Sequence, residues 1–439
     1  MRKIQVLSIF SAVIIFFSSC QKQDAFVPPT PNADTYSSKV ATDWMDAFRA
    51  GVKSEAKSPP QASRIYAYAA IALYQSVLPG LQTNKSLEGK IDGLINLPSI
   101  ETAEKLDYTL AANEAMYQVY ATIFGTLKPE NIQLMETLHQ NYLYANYTLG
   151  VDVKTNSIDY GKAVAAAVIY RANNDNFAST RSMSYVVPST SINPSYWSPT
   201  SAVTTPLEPY WGNLKCFTMP NGGACSIPSS IPFSTTPGSP FYNQALEVVN
   251  TADNLTQGQK DIALWWADGP GATSTPPGHW LAIASQLIKE KNIPLGKSAE
   301  IFATLNIGMA DAFISCWHEK YRLNLLRPIS YIRTYLPGRT TWTSLIGTPP
   351  FPEYPSGHSV SSGAAAEILT KYFGAIPFTD LTNVGLGLST RSFNSFTEAA
   401  NEAGISRLYG GIHYREAIDK GILQGKEVSK VVFEKIKLK

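Results

Sequence analysis

Charge is scarce in this chain of 439 residues: Asp, Glu, Lys and Arg make up only 16% of it, and the formal net charge is +2. No basic run appears, which excludes an electrostatic footprint for nucleic acid. Histidine is rarer still, with five residues, and none of them falls in a His/Cys cluster of zinc spacing, so a divalent-metal site is not expected. Strand signals are few and there is no internal repeat. After residue 17 no apolar run reaches 18 residues, so a multi-span membrane protein is excluded. Cysteine is limited to four.

Helical patterning fills most of what remains. Apolar residues recur at three- and four-residue spacing over 37–58, 60–78, 100–124, 129–149 and 154–173, and again from 241 to the end. Between them, residues 176–240 are rich in Ser, Thr, Pro, Tyr and Asn but carry Trp197 and Trp211. These aromatics argue for a packed irregular segment rather than a linker. The expected architecture is all-α, with an N-terminal helical half over 37–175 and a C-terminal half over 241–439. Length permits a large core.

The N-terminus reads as a targeting segment. Arg2 and Lys3 precede an apolar run over 4–17, then Ser18, Ser19 and Cys20. This pattern predicts a lipoprotein signal over 1–19, lipidation of Cys20 and a tether over 20–36. Gln21 after Cys20 points to the outer membrane, so the expectation is an exported chain whose only membrane contact is its lipid anchor. An oxidising compartment lets Cys216 and Cys225, which bracket a short loop, either pair or stay free. Cys316 reads as a buried thiol.

Three segments carry the chemistry: 320–328 (KYRLNLLRP), 354–358 (YPSGH) and 406–413 (SRLYGGIH). Lys320 and Arg327 lie seven residues apart, which predicts a shared helix face with Arg327 at the helix end before Pro328. Lysine offers a compact charge and arginine a planar fork of donors, both suited to an oxyanion. Ser356, Gly357 and His358 precede a helix expected over 359–373, and free amides at a helix start make an anion site. Gly410 and Gly411 separate helices expected over 394–408 and 414–436. They allow the tight path that aims Arg407 and His413 at one point. Each segment alone is ordinary: a solvated helix end, an N-cap, a structural histidine. In combination they suit a tetrahedral or trigonal-bipyramidal oxyanion with a histidine at its centre, which means phosphate or vanadate.

In this order the three segments resemble the pattern Lys-x6-Arg-Pro, Pro-Ser-Gly-His and Ser-Arg-x3-Gly-x-His of the vanadium-dependent haloperoxidases. That family shares a superfamily with the type 2 phosphatidic acid phosphatases. Residues 265–269 (WWADG), 275–277 (TPP), 309–312 (MADA) and 349–354 (PPFPEY) extend the likeness. The resemblance implies a resident vanadate bonded to His413. Around it, Lys320, Arg327, Arg407, Ser356 and the Gly357 amide would hold the oxygens, and His358 would be the acid–base residue. It further implies that Asp268 pairs with Arg407, and that Trp317 and Phe351 line a halide pocket. Many members carry Asp four residues after the ligand histidine; here that position is Ala417, which leaves the support of His413 in question. His139, His279 and His318 read as structural. The implied activity is halide oxidation by hydrogen peroxide. Alternatives are a histidine-nucleophile phosphatase acting on phosphomonoesters, and a surface lipoprotein that binds an oxyanion or glycan without turnover. The sequence leaves the oligomeric state open.

Overall fold

The computed structural model describes residues 32–99 and 105–439. The signal segment, Cys20 and the first part of the expected tether therefore lie outside the described residues. Residues 32–36 of that tether are docked: Ala33 is buried, and the Tyr36 carbonyl accepts from the Leu295 amide at 2.9 Å.

The N-terminal half contains α1 (Lys39–Ser54), α2 (Pro59–Val77), α3 (Tyr108–Ile123), α4 (Pro129–Ala145) and α5 (Val151–Asn173), followed by the short α6 (Phe177–Arg181). The C-terminal half contains α7 (Pro240–Asp253), α8 (Gln257–Trp265), α9 (Thr275–Glu290), α10 (Leu295–Leu323), α11 (Pro328–Tyr335), α12 (Gly357–Phe373), α13 (Phe396–Tyr409) and α14 (Arg415–Ile436). Local chemistry sets many boundaries. Ser58 with Gln61, and Thr256 with Gln259, form capping boxes at the starts of α2 and α8. Pro59, Pro240 and Pro328 stand in the first turn of their helices, where a missing N–H costs nothing.

The central element is α10. Its 29 residues are apolar enough to match a membrane span, yet they are buried almost throughout, because α2 covers one side and α12 and α14 cover others. A helix apolar all round must be enclosed, and here both halves enclose it. The two halves thus share one continuous core. A second, smaller cluster joins α7 and α11 to residues around Tyr414. The irregular segment is packed as its aromatics suggest, with Trp197 and Trp211 fully buried.

The helices α12 and α14 approach with almost no side chain between them. A Cβ on Gly425 would sit 2.1 Å from the Val360 carbonyl oxygen, and one on Gly363 would sit 2.4 Å from that of Ile422. Only glycine permits this separation. One small antiparallel hairpin, β1 (Phe378–Asp380) and β2 (Arg391–Phe393), pairs Phe378 with Phe393 and carries Asp380 inward.

Candidate functional site

The three sequence segments converge at one end of α10 and α12: residues of the second and third line a cavity of about 530 Å3, and Arg327 of the first meets His413. Lys320 lies in the last turn of α10. The spacing predicts that Arg327 continues the same helix face; instead Asn324 takes the left-handed conformation (φ 55°) and stops the helix, and Arg327 becomes the N-cap of α11. Asparagine tolerates this geometry better than most side chains. The chain reverses there, so Arg327 reaches the site from a loop.

Ser356 caps α12, its hydroxyl accepting from the Ser359 amide at 3.3 Å and keeping its own proton free to donate. Gly357 and His358 open the helix, two residues earlier than the apolar pattern suggests. Arg407 closes α13. Gly411 (φ 77°) then turns the chain where any Cβ would press on Trp342 and Ser344 at 3.1–3.2 Å, and His413 follows just before α14.

Every ring atom of His413 that can bond is specified. Nδ1 lies 2.8 Å from Oε1 of Glu353, which also accepts the Tyr414 amide at 2.9 Å. Nε2 lies 3.2 Å from Nη1 of Arg327. A carboxylate on one nitrogen and a guanidinium on the other put the proton on Nδ1 and the lone pair on Nε2, the tautomer a ligand histidine needs. Burial, then Arg327, Lys320 and Arg407, hold the ring well below its ordinary pKa, so it is neutral. The support expected from the position of Ala417 thus comes from Glu353, sixty residues before His413. Ala417 instead accepts the Ser356 amide through its carbonyl. Glu353 lies within the PPFPEY segment, but nothing in its spacing marks it as the partner of His413.

The cations are buried; Lys320 is fully committed and the two arginines partly so. Lys320 Nζ donates to the carbonyls of Pro352, Glu353 and Pro355 at 3.0, 2.8 and 2.5 Å. Burial lowers it to about 7 and raises Glu353 to about 7. Arg327 donates to the Phe351 and Ile412 carbonyls, while its Nη2 is buried with no partner. Arg407 bonds Ser406 and the carbonyls of Ala263 and Trp266, and it lines the cavity beside His413. His358 also faces the cavity, with Nε2 enclosed and unpartnered; burial first, then Arg407 and His279, push it well below its ordinary pKa.

Asp268 is not the direct partner of Arg407. Its carboxylate bonds His279 Nδ1 at 2.9 Å, and Asp380 from the hairpin bonds Nε2 at 2.7 Å. Asp268 acts on Arg407 only through space. Burial alone would lower His279, but the two carboxylates raise it to about 10. It stacks on Trp266 at 4.3 Å, so it is a charged, fixed group behind the cavity wall rather than a neutral packing residue.

Trp317 and Phe351 do meet at the cavity, 5.0 Å apart, with Lys320 over both rings. Of the remaining histidines, His139 is buried on Glu114 and stacked on Tyr117, and His318 packs against Gly212 and Gly223. Cys216, Cys225 and Cys316 are buried free thiols. Among the described residues no group of three or more His, Cys, Asp or Glu could hold a metal ion.

The fold and these donors together define a helical protein able to seat a compact anion against a neutral histidine. Comparison gives the family. Residues 300–438 match the family model described as the second helical-bundle domain of VCPO. A solved bacterial vanadium-dependent iodoperoxidase superposes with a TM-score of 0.83 at 35% identity, over 91% of this chain and 96% of that one. The chain therefore belongs to the vanadium-dependent haloperoxidase family, a family of enzymes. A holo-type bacterial vanadium-dependent chloroperoxidase shares the fold, with a TM-score of 0.65 at 17% identity over 88% of this chain and 95% of that one. The vanadium chloroperoxidase of Curvularia inaequalis is 24% identical over 212 residues, a match covering 35% of each chain, so the aligned part spans about a third of that relative's length.

Proposed function

We propose that this protein is a vanadate-dependent haloperoxidase that oxidises halide, iodide first, with hydrogen peroxide. The observation that carries the reading is the state of His413: a neutral ring with its Nε2 lone pair prepared by Glu353 and Arg327. The residues fit vanadate. Arg327 Nη2 is a buried donor lacking an acceptor, and Gly357 at the start of α12 lines the cavity with His413. When bound, vanadate supplies a Lewis-acidic centre that polarises peroxide.

His413 Nε2 would bind the metal; it is the nitrogen whose partner is displaceable. Arg327, Arg407, Ser356 and the Gly357 amide would hold the oxygens, and the charges of the two arginines and of Lys320, whose three N–H groups already bond carbonyls, would offset the anion. His358 Nε2, neutral and unpartnered, would take a proton from incoming peroxide. This favours oxidation over phosphoester hydrolysis, since a phosphatase needs the protonated ring to supply the leaving oxygen. Asp268 would support the site by fixing His279 behind its wall. The residue pattern from Arg2 to Gln21 supports export, lipidation at Cys20 and outer-membrane attachment.

The test is triiodide or tribromide formation by vanadate-loaded protein supplied with peroxide, run beside phosphomonoester hydrolysis by vanadate-free protein. Fully loaded protein that oxidises neither iodide nor bromide refutes the reading, and phosphoester turnover in its place would establish the phosphatase.

A further inference from the structure

A second cavity, of about 210 Å3, lies in the N-terminal half, among α2, the ends of α3 and α5, and the start of α6. No residue lines both this cavity and the one at His413, and nothing in the haloperoxidase reading uses it. Two cations line it. Arg64 is only 6% exposed, and its guanidinium is partly committed: Nε donates to Asp175 at 2.6 Å and Nη2 to the Ala172 carbonyl at 2.7 Å. Among the described residues nothing accepts from its Nη1. Lys57 Nζ donates once, to the Phe124 carbonyl at 3.0 Å, and keeps two N–H groups.

The carboxylates nearby are already engaged, so none is left to hold a cation. Asp175 accepts from Arg64, from the Tyr68 hydroxyl at 2.8 Å and from the Phe177 amide at 2.9 Å. Glu208 is taken by Arg181 and by Gln61 at 2.8 Å. Glu55 bonds the Lys128 amide and Asn131, and acts on Lys57 only through space. Arg64 and Arg171 share the single carboxylate of Asp175, at 2.6 and 3.7 Å, which leaves one buried positive charge unmatched. A buried charge without a partner is costly, and one negative charge in the cavity offsets it.

The remaining walls are apolar and built in advance. Ile65 and Ile169 contribute aliphatic surface, and two rings stand between them in sequence and space: Phe177 lies under the Arg64 guanidinium at 4.4 Å, and Phe124 packs on Tyr120 at 4.7 Å. A cavity of about 150 Å3 holds benzene, so the space here suits a body of roughly eight or nine heavy atoms. A halide would leave these walls bare. A phosphate dianion would bring one charge too many and more oxygens than the two cations can satisfy.

We propose that this cavity is a binding site for a small organic monocarboxylate, with the carboxylate on Lys57 and Arg64 Nη1 and a compact apolar body against Phe124, Ile65 and Ile169.

The probe is benzoate, titrated into the full chain carrying one equivalent of vanadate, with binding read by calorimetry and by benzoate line broadening in proton NMR. Benzamide, the neutral isostere, inorganic phosphate and iodide are the comparisons. Two variants test the place: Lys57→Gln removes a charge, and Thr122→Trp, at an exposed position of the lining, fills the space without burdening the core. Circular dichroism checks that both are folded. The expected result is saturable one-to-one binding of benzoate, at least tenfold weaker for benzamide, and at least fivefold weaker in each variant. Wild-type protein that does not bind benzoate, or binds benzamide equally well, overturns the proposal. So does binding unchanged in both variants, which would put benzoate elsewhere. Phosphate or iodide displacing benzoate at equal concentration also overturns it, because the apolar walls would then select nothing. None of these outcomes bears on halide oxidation, which both variants should retain within twofold.

Discussion

Replacing His279 by alanine should cost this protein more than any surface change, and the cost should depend on pH in a defined way. His279 is enclosed with Asp268 and Asp380 at 2.9 and 2.7 Å. Removing the ring leaves two buried carboxylates without their cation, a loss of about 3–5 kcal/mol in comparable buried pairs. The folded-state pKa gives a second route to the magnitude. Its rise from 6.5 to about 10, at about 1.4 kcal/mol per pH unit, corresponds to on the order of 5 kcal/mol. Because the folded value lies above the unfolded one, this stabilisation is fully present below about pH 6.5 and is lost as pH rises through about 10. The wild type should therefore lose stability from neutral pH toward pH 10, whereas the variant should lack that slope. Removing a positive group near His358 should also raise the pKa of that ring and move the acidic limb of the peroxidase pH profile upward. Urea unfolding of both proteins between pH 6 and 10 is the assay. A variant within about 1 kcal/mol of wild type at pH 7, or with the same pH slope, would refute the buried-imidazolium assignment.

Other consequences follow from the same geometry. Glu353→Gln keeps the bond to His413 but not the charge that fixes its tautomer, so vanadate affinity by calorimetry should fall roughly 10–100-fold with the fold intact by circular dichroism. His358→Ala should retain bound vanadium, quantified by elemental analysis, while iodide oxidation falls on the order of 10²–10⁴-fold. Gly425→Ala must push α14 off the Val360 carbonyl and should lower the thermal midpoint clearly, whereas Gly258→Ala, where a Cβ meets nothing within 4 Å, should not.

The parts of this molecule written in local pattern were legible in the sequence. Apolar-periodic helices such as α2 and α14 fall within a few residues of their expected bounds; Arg407, His358 and His413 line one cavity, and Arg327 reaches His413 beside it. What escaped was set by tertiary contact. Asn324 breaks the expected Lys320–Arg327 helix with a single left-handed residue that no periodicity marks. Glu353 and His413 meet across sixty residues, and Asp380 reaches His279 from a hairpin whose strands are three residues each, too short to alternate visibly. The sequence neighbours of His279, prolines and a glycine, mark it as structural but not as charged; the carboxylates that define it arrive from elsewhere.

The glycine-lined contact between α12 and α14 has a consequence for how this protein can change. His358 opens one of those helices and His413 precedes the other, so the two histidines are welded to a single unit with no slack for adjustment. Pro59, Leu207, Pro276, Pro349 and Pro350, which also line the cavity, belong to loops and helix starts outside that glycine contact. Mutation can therefore redraw what enters the cavity while the distance between the two histidines stays as it was. Diversity would accumulate at the mouth, and invariance at the hinge-less pair beneath it.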